Sequence, residues 1–363
     1  MIEIIFPFLV ALTVTLATTP LAIIFAKKYK LLNDPKKINH PKQLQNRVIP
    51  RAGGLSVFFG LMVAIFWFIP FDKHIIGIIL GTLLLLSVGL LDDVLDDFSP
   101  IKRWILQFIA AGIVVASGVG ISFITNPFGG VLRLDTIVFP INLFGTHNII
   151  LIADIFALLW IVWMMNMINW AKGVDGQMPG ITAVASLTIG FVSFGFYNQG
   201  DPNQLPIAIL SFITAGASLG LLAFNWYPSK ILPGFSASTI LGFMIAVLSI
   251  LSGAKLATAV LVLLIPSIDF FYTFSRRLLS GKSPFKGDRE HLHHLLLDKK
   301  GWSHQQISLF YIASCAILGL LATTLSSQGK LFTALVVGII VIGGILWLHF
   351  FSTSLKQPDQ DNG

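Results

Sequence analysis

Four aspartates fall within six residues, Asp92, Asp93, Asp96 and Asp97, directly after an apolar run that ends Val88-Gly89-Leu90-Leu91. If the helix continues, Asp92 and Asp96 share one face, as do Asp93 and Asp97. Carboxylates this close repel one another unless cations or altered pKa values relieve them. Two chemistries fit: holding a divalent metal, or taking a proton from an attacking group. A solvated acidic loop is the plainer reading, but charge beside lipid is costly and tends to be kept for function.

A second cluster reads Asn166-Met-Ile-Asn169-Trp-Ala-Lys172-Gly173-Val-Asp175-Gly176. Asn166, Asn169 and Lys172 recur every three residues and make a slanting polar stripe on a helix. Gly173 and Gly176 allow a sharp turn and close backbone approach. Amides beside an acid can both donate and accept, which suits a nucleotide or a sugar. Polar glue between membrane helices is the competing reading. A third cluster holds Arg289, His291, His293 and His294. Histidines with an arginine can bind phosphate oxygens or donate protons. A tetrahedral transition-metal site would need a cysteine or a second histidine group nearby, so phosphate contact is the better match. Asp269 lies two turns before Arg276-Arg277 and should approach this site, whereas Asp154 reads as interfacial at the far end of its span. Arg51-Ala52-Gly53-Gly54 opens a span and reads as packing or headgroup contact.

The elements that position these groups are membrane helices. The chain is 55% hydrophobic and 11% charged, which is too apolar for an ordinary soluble domain. The expected fold class is an all-α polytopic integral membrane protein of about eleven transmembrane helices, because that many apolar segments are long enough to cross a bilayer. They lie near residues 2–26, 53–70, 74–91, 104–122, 149–168, 179–197, 205–225, 237–253, 256–275, 306–325 and 331–351. Basic residues set the orientation. With the N-terminus outside and the C-terminus cytoplasmic, every Lys and Arg except Lys73, Arg133, Lys255 and Lys330 falls on the inner side. All three clusters then face the cytoplasm, and the expected location is the plasma (inner) membrane.

The formal charge of +7 is accounted for by these basic loops and calls for no nucleic acid. The lone Cys315 excludes an intrachain disulfide and reads as packing. The first span lacks a basic leader and a small-residue cleavage site, so it is expected to be retained. Residues 1–355 read as one membrane domain, with 356–363 a disordered cytoplasmic tail. Residues 123–148, with Gly129-Gly130 and alternating Val131-Leu132-Arg133-Leu134, suit an external hairpin.

In this order and topology the clusters resemble the polyprenyl-phosphate N-acetylhexosamine-1-phosphate transferases. The resemblance runs from Asp34-Pro35 and Pro50-Arg51-Ala52-Gly53-Gly54 through Leu91-Asp92-Asp93 to Lys102. It continues through Asn166-x-x-Asn169, Gly173-Val174-Asp175-Gly176, Phe224-Asn225 and Pro228, and ends at Pro266-Ser267-Ile268-Asp269 and Gly287-Asp288-Arg289-Glu290-His291-Leu292-His293-His294. The His-Leu-His-His form is closer to the branch using UDP-N-acetylglucosamine than to the branch using UDP-N-acetylmuramoyl-pentapeptide. The resemblance implies transfer of an N-acetylhexosamine 1-phosphate from a UDP-amino-sugar to a polyprenyl phosphate, an early membrane step of cell-envelope glycan synthesis. It casts Asp92, Asp93, Asp175 and His291 as catalytic. It casts Lys102, Asn166, Asn169, Lys172, Asp269, Arg289, His293 and His294 as substrate-binding. It also implies Mg²⁺, with Asp93 and Asp175 as ligands, and homodimers are common among similar proteins. Other readings are a paralogue that binds lipid phosphate or nucleotide-sugar without transfer and, more distantly, a membrane transporter, although no internal repeat supports the latter.

The chain departs from the family pattern twice. Lys172 stands where Asn-x-x-Asn-x-x-Asp has its aspartate, and Phe235, in Pro233-Gly234-Phe235-Ser236, stands at a family metal-ligand position. Exchanging two carboxylates for an ammonium and a phenyl moves local charge from −2 to +1. Lys172, a suitable phosphate-binding point charge, is therefore expected to take over part of the metal's electrostatic work.

Overall fold

A computed structural model describes residues 1–35, 47–95, 98–142, 146–253, 255–283 and 289–351, with side chains undescribed over 141–148. Asp96, Asp97, Asp288 and the expected tail from 356 lie outside the described residues.

The apolar segments fold as helices because a bilayer supplies no partner for a bare N–H or C=O group, and a helix satisfies its own. The first four are α1 (Ile2–Lys28), α2 (Gly53–Phe68), α3 (Lys73–Val94) and α4 (Pro100–Ala116). Next come α5 (Leu151–Trp170), α6 (Gln177–Asn198), α7 (Gln204–Asn225) and α8 (Gly234–Leu251). The chain ends with α9 (Leu256–Val262), α10 (Leu264–Leu279), α11 (Leu292–Lys300), α12 (His304–Thr324) and α13 (Ser327–Phe350). Asp72 starts α3 by accepting from Ile75 N at 2.8 Å, and a Ser303/Gln306 capping box starts α12.

Among the described residues eight helices are long and apolar enough to cross a membrane. Each of the eleven expected segments falls on a helix, but α2 and α4 are too short to count among these eight, and two segments differ in course. The segment near 256–275 is not one rod: α9 and α10 meet at 83°. The segment near 104–122 becomes α4, which starts at Pro100, so Lys102 and Arg103 sit in its first turn. Proline fits there because its missing N–H is one that a helix start leaves unpaired anyway.

Every residue of α8 from Gly234 to Ile250 is buried. Such all-round burial is what an all-round apolar helix calls for. Helices α2, α3, α5, α6, α7 and α9 pack around it, and one connected apolar core runs from Ala11 to Leu348. Outward faces of α13, such as Phe332, Ile339 and Ile340, are exposed apolar surface, as suits lipid.

Three two-stranded antiparallel sheets decorate the helices. The stretch from 123 to 150 forms two antiparallel strand pairs where one small hairpin was expected: β3 (Phe123–Thr125) with β4 (Val131–Arg133), and β5 (Val138–Asn142) with β6 (Thr146–Ile150). The third, β1 (Leu32–Asn33) with β2 (Ile49–Pro50), leads into α2. Pro50 O accepts from Leu232 N at 2.8 Å, which ties this sheet to the start of α8 and fixes where Arg51 emerges.

Candidate active site

The C-terminal ends of α3, α5 and α7 and the N-terminal ends of α2, α4, α6 and α8 gather at one end of the bundle. Contacts between Gly53 and Leu232, Arg103 and Asp92, Lys172 and Gly234, and Gly176 and Asn225 join them. Clusters up to about two hundred residues apart in sequence thereby become neighbours, as in other sites built from side chains on facing helices.

Asp92 and Asp93 occupy the last turn of α3 and are both buried. Asp92 Oδ1 pairs with Arg103 Nε at the start of α4. Asp93 Oδ1 receives Arg51 Nη2 at 3.3 Å and the backbone Phe235 N–H at 3.4 Å. Its other oxygen, Oδ2, lies so close to Gly234 that a Cβ there would collide with it. Gly234 also has φ +71°, a conformation that glycine adopts freely. Asp93 thus sits at the positive end of α8, where a carboxylate is favoured.

Lys172 follows α5 and donates from Nζ to Gly234 O at 3.1 Å. Its ammonium lies 5.8 Å from the centre of the Phe235 ring, and the Arg103 guanidinium lies 5.5 Å from the same centre. Burial pushes Lys172 down to about 8, although the charges of Asp93 and Asp92 favour its protonated form. One residue on, Gly173 faces His293: a Cβ there would meet the imidazole at Nε2. Glycine at 173 is therefore what lets the second cluster reach the third.

His291, His293 and His294 are buried together. The His291 and His293 rings are parallel at 5.4 Å, and His293 and His294 lie 4.4 Å apart. Asp269 organises the group. It accepts from Leu292 N at 2.7 Å and from His291 Nδ1 at 3.0 Å. A carboxylate accepts only, so a proton of His291 sits on Nδ1 and Nε2 is the ring nitrogen turned away from Asp269. That Nε2 is buried with no hydrogen-bond partner among the described residues.

The remaining predicted residues are distributed as follows. Asn169 Oδ1 accepts from Ser238 Oγ at 2.8 Å, which fastens α5 to α8. Asn166 donates to Gln107 Oε1 at 2.9 Å and to Val162 O, so it does serve as interhelical glue. Both asparagines border a cleft whose wall also includes Arg103, Trp104, Trp170 and Phe235. Asp175 is buried; its Oδ2 accepts from Ser229 N at 3.2 Å and its carbonyl from Ser308 Oγ at 2.6 Å. Arg289 makes a two-pronged bond to Asp298 at 2.8 and 2.9 Å. Lys102 is exposed, and the ion pair to the acidic turn falls to its neighbour Arg103. Asp154 accepts from Ile150 N at 2.9 Å and caps the start of α5.

Arg51 and Arg103 are the functional candidates that the sequence did not reveal. Arg51 had every appearance of a span-opening residue, and only its pairing with Asp93 draws it into the site. A position one residue after Lys102 was the one available hint for Arg103.

The donor set does not match a divalent cation. Magnesium demands near-octahedral oxygen ligands, and among the described residues no group of three or more His, Cys, Asp or Glu side chains could hold a metal ion. Asp92 and Asp93 are each paired with an arginine, and Asp175 Oδ2 is bonded to the loop after α7.

Comparisons with known proteins found the following similarities. The model of glycosyl transferase family 4 matches residues 75–253, from α3 through α8. A Bacillus subtilis protein named "Probable undecaprenyl-phosphate N-acetylglucosaminyl 1-phosphate transferase" is 26% identical over 94% of this chain and 90% of its own length. The decaprenyl-phosphate N-acetylglucosaminephosphotransferase of Mycobacterium leprae is 28% identical over 87% of this chain and 83% of its own. The undecaprenyl-phosphate alpha-N-acetylglucosaminyl 1-phosphate transferase of Thermotoga maritima is 26% identical over 83% of this chain and 85% of its own.

Proposed function

We propose that this chain, a glycosyl transferase family 4 protein of the polyprenyl-phosphate N-acetylhexosamine-1-phosphate transferase superfamily, moves N-acetylglucosamine 1-phosphate from a UDP-sugar to polyprenyl phosphate and releases UMP. The observation that carries this reading is the junction of three clusters: Asp93 against Gly234, Lys172 on the Gly234 carbonyl, and Gly173 against His293. A phosphate-handling site needs cations and proton carriers around one point, and these contacts support such a point.

In the reaction a lipid phosphate oxygen forms a new bond to the sugar-linked phosphorus. The bond from that phosphorus to the bridging oxygen breaks, and UMP leaves with that oxygen. Negative charge is spread over phosphate oxygens throughout, so catalysis rests on positioning and cationic stabilisation. Asp92 and Asp93 orient the lipid phosphate or take its proton, with Arg103 and Arg51 holding the two carboxylates in place. Asn169 and Asp175 hold the nucleotide-sugar. The histidines contact the diphosphate, with His291 aimed by Asp269. Among the described residues the carboxylates do not form a magnesium coordination shell.

The membrane arrangement belongs to the same proposal. The eight long helices, the bent α9–α10 pair, α2 and α4 make eleven crossings of one membrane domain. The basic loops then put the site on the cytoplasmic side of the plasma membrane.

Purified protein given labelled UDP-N-acetylglucosamine and undecaprenyl phosphate should release UMP and form a lipid-linked diphosphosugar. A panel of other UDP-sugars should give less. Absence of UMP release with every sugar would refute the proposal.

A further inference from the structure

The proposed transfer is an exchange between anions, and the site already carries its own cations. Arg51 holds Asp93 at 3.3 Å, Arg103 holds Asp92, and Lys172 sits on the Gly234 carbonyl at 3.1 Å. Against two carboxylates these three make a net charge of +1 before any substrate arrives. Phe235 stands among them, its ring centre 5.5 Å from the Arg103 guanidinium and 5.8 Å from the Lys172 ammonium. The negative face of an aromatic ring attracts cations, so the phenyl group helps two like charges share one corner of the site. A divalent ion placed there would meet an ammonium and a guanidinium instead of two free carboxylates.

Resting on the transferase reading, we infer that Arg51, Arg103 and Lys172, arranged around Phe235, supply the positive charge for phosphate transfer in place of a site-bound divalent cation. Lysine acts as a point charge on phosphate, whereas arginine forms directed bonds to carboxylates. The two arginines therefore hold Asp92 and Asp93, and Lys172 is left to face the incoming diphosphate.

Two readouts test this, and one of them does not depend on turnover. Electron paramagnetic resonance of Mn²⁺ titrated into the purified wild-type protein in nanodiscs should show the free-ion spectrum alone. A K172D/F235D double variant, which places carboxylates at both positions, should bind Mn²⁺, and Mg²⁺ should displace it. Wild-type Mn²⁺ binding that D93N abolishes would overturn the inference. In the second readout, UMP release by the wild type should change less than threefold between excess EDTA and millimolar Mg²⁺; a hundredfold loss in EDTA that Mg²⁺ reverses would overturn it too. If no UMP appears under either condition, the transferase reading fails and the Mn²⁺ measurement still decides the inference. Should the double variant not fold, the wild-type titration decides alone.

Discussion

Lys172 places an ammonium on the Gly234 carbonyl at the centre of the proposed site, and its ionisation can be read in the rate. Burial pushes it down to about 8, so it is cationic at neutral pH and loses its charge as the pH rises through that value. A transfer step that relies on the ammonium should therefore slow on the alkaline side, with a midpoint near 8 in the kcat/KM profile of UMP release, which reports the substrate-free enzyme. Arginine stays protonated throughout this range, so Lys172→Arg should remove that limb, whatever its effect on the absolute rate. An alkaline limb of the same midpoint in the arginine variant would assign it to another group. At the same scale Asp269 shows how a carboxylate acts through a neighbour. By accepting from His291 Nδ1 and Leu292 N it fixes both the ring and the start of α11, as the orienting partners of ligating and catalytic histidines commonly do.

Helix ends make the site, and glycine makes two of the ends meet. Gly234 opens α8 with φ +71° and leaves room for Asp93. Gly253 lies just beyond the other end of α8, also at positive φ (+78°), but has nothing within 4 Å of a Cβ. Alanine at either position forces an L-residue into the left-handed region, a strain of about 1–3 kcal/mol. Both Gly234→Ala and Gly253→Ala should thus unfold at lower temperature than the wild type. Gly234→Ala alone should also displace Asp93 and cut UMP release by about tenfold or more, a one-ångström misplacement being enough to do so. Thermal unfolding and UMP release, measured on both variants, separate the shared strain from the local collision. Equal losses of activity would show that the approach to Asp93 is unimportant.

The whole molecule is organised around α8, and its orientation in the membrane rests on the distribution of basic residues. Thr125, in the β3–β4 hairpin, and Lys102, in the first turn of α4, are both exposed and lie at opposite ends of the bundle in the proposed topology. Cys315 is buried, which leaves a low background for thiol labelling. In intact cells a membrane-impermeant maleimide should label a Thr125→Cys variant. It should label Lys102→Cys only after the membrane is opened. The reverse pattern would turn the protein over and place the proposed site outside.

Alternation of apolar spans with polar ends and the three chemical clusters could be read along the chain. Each depends on local composition, since transfer to lipid is costly for charge wherever the fold puts it. Which cation faces which carboxylate was not legible. Arg51 and Asp93 lie on different helices, and Arg103 was as plausible a loop cation as Lys102 until α4 began at Pro100 and directed one toward Asp92 and left the other exposed. The 83° break between α9 and α10 is likewise hidden in an unbroken apolar run. Pairings of this kind depend on how α2, α3 and α5 pack around α8 and how α4 packs on α3 and α5, and packing is set by side-chain shape across the whole core, not by the order of residues along any one helix.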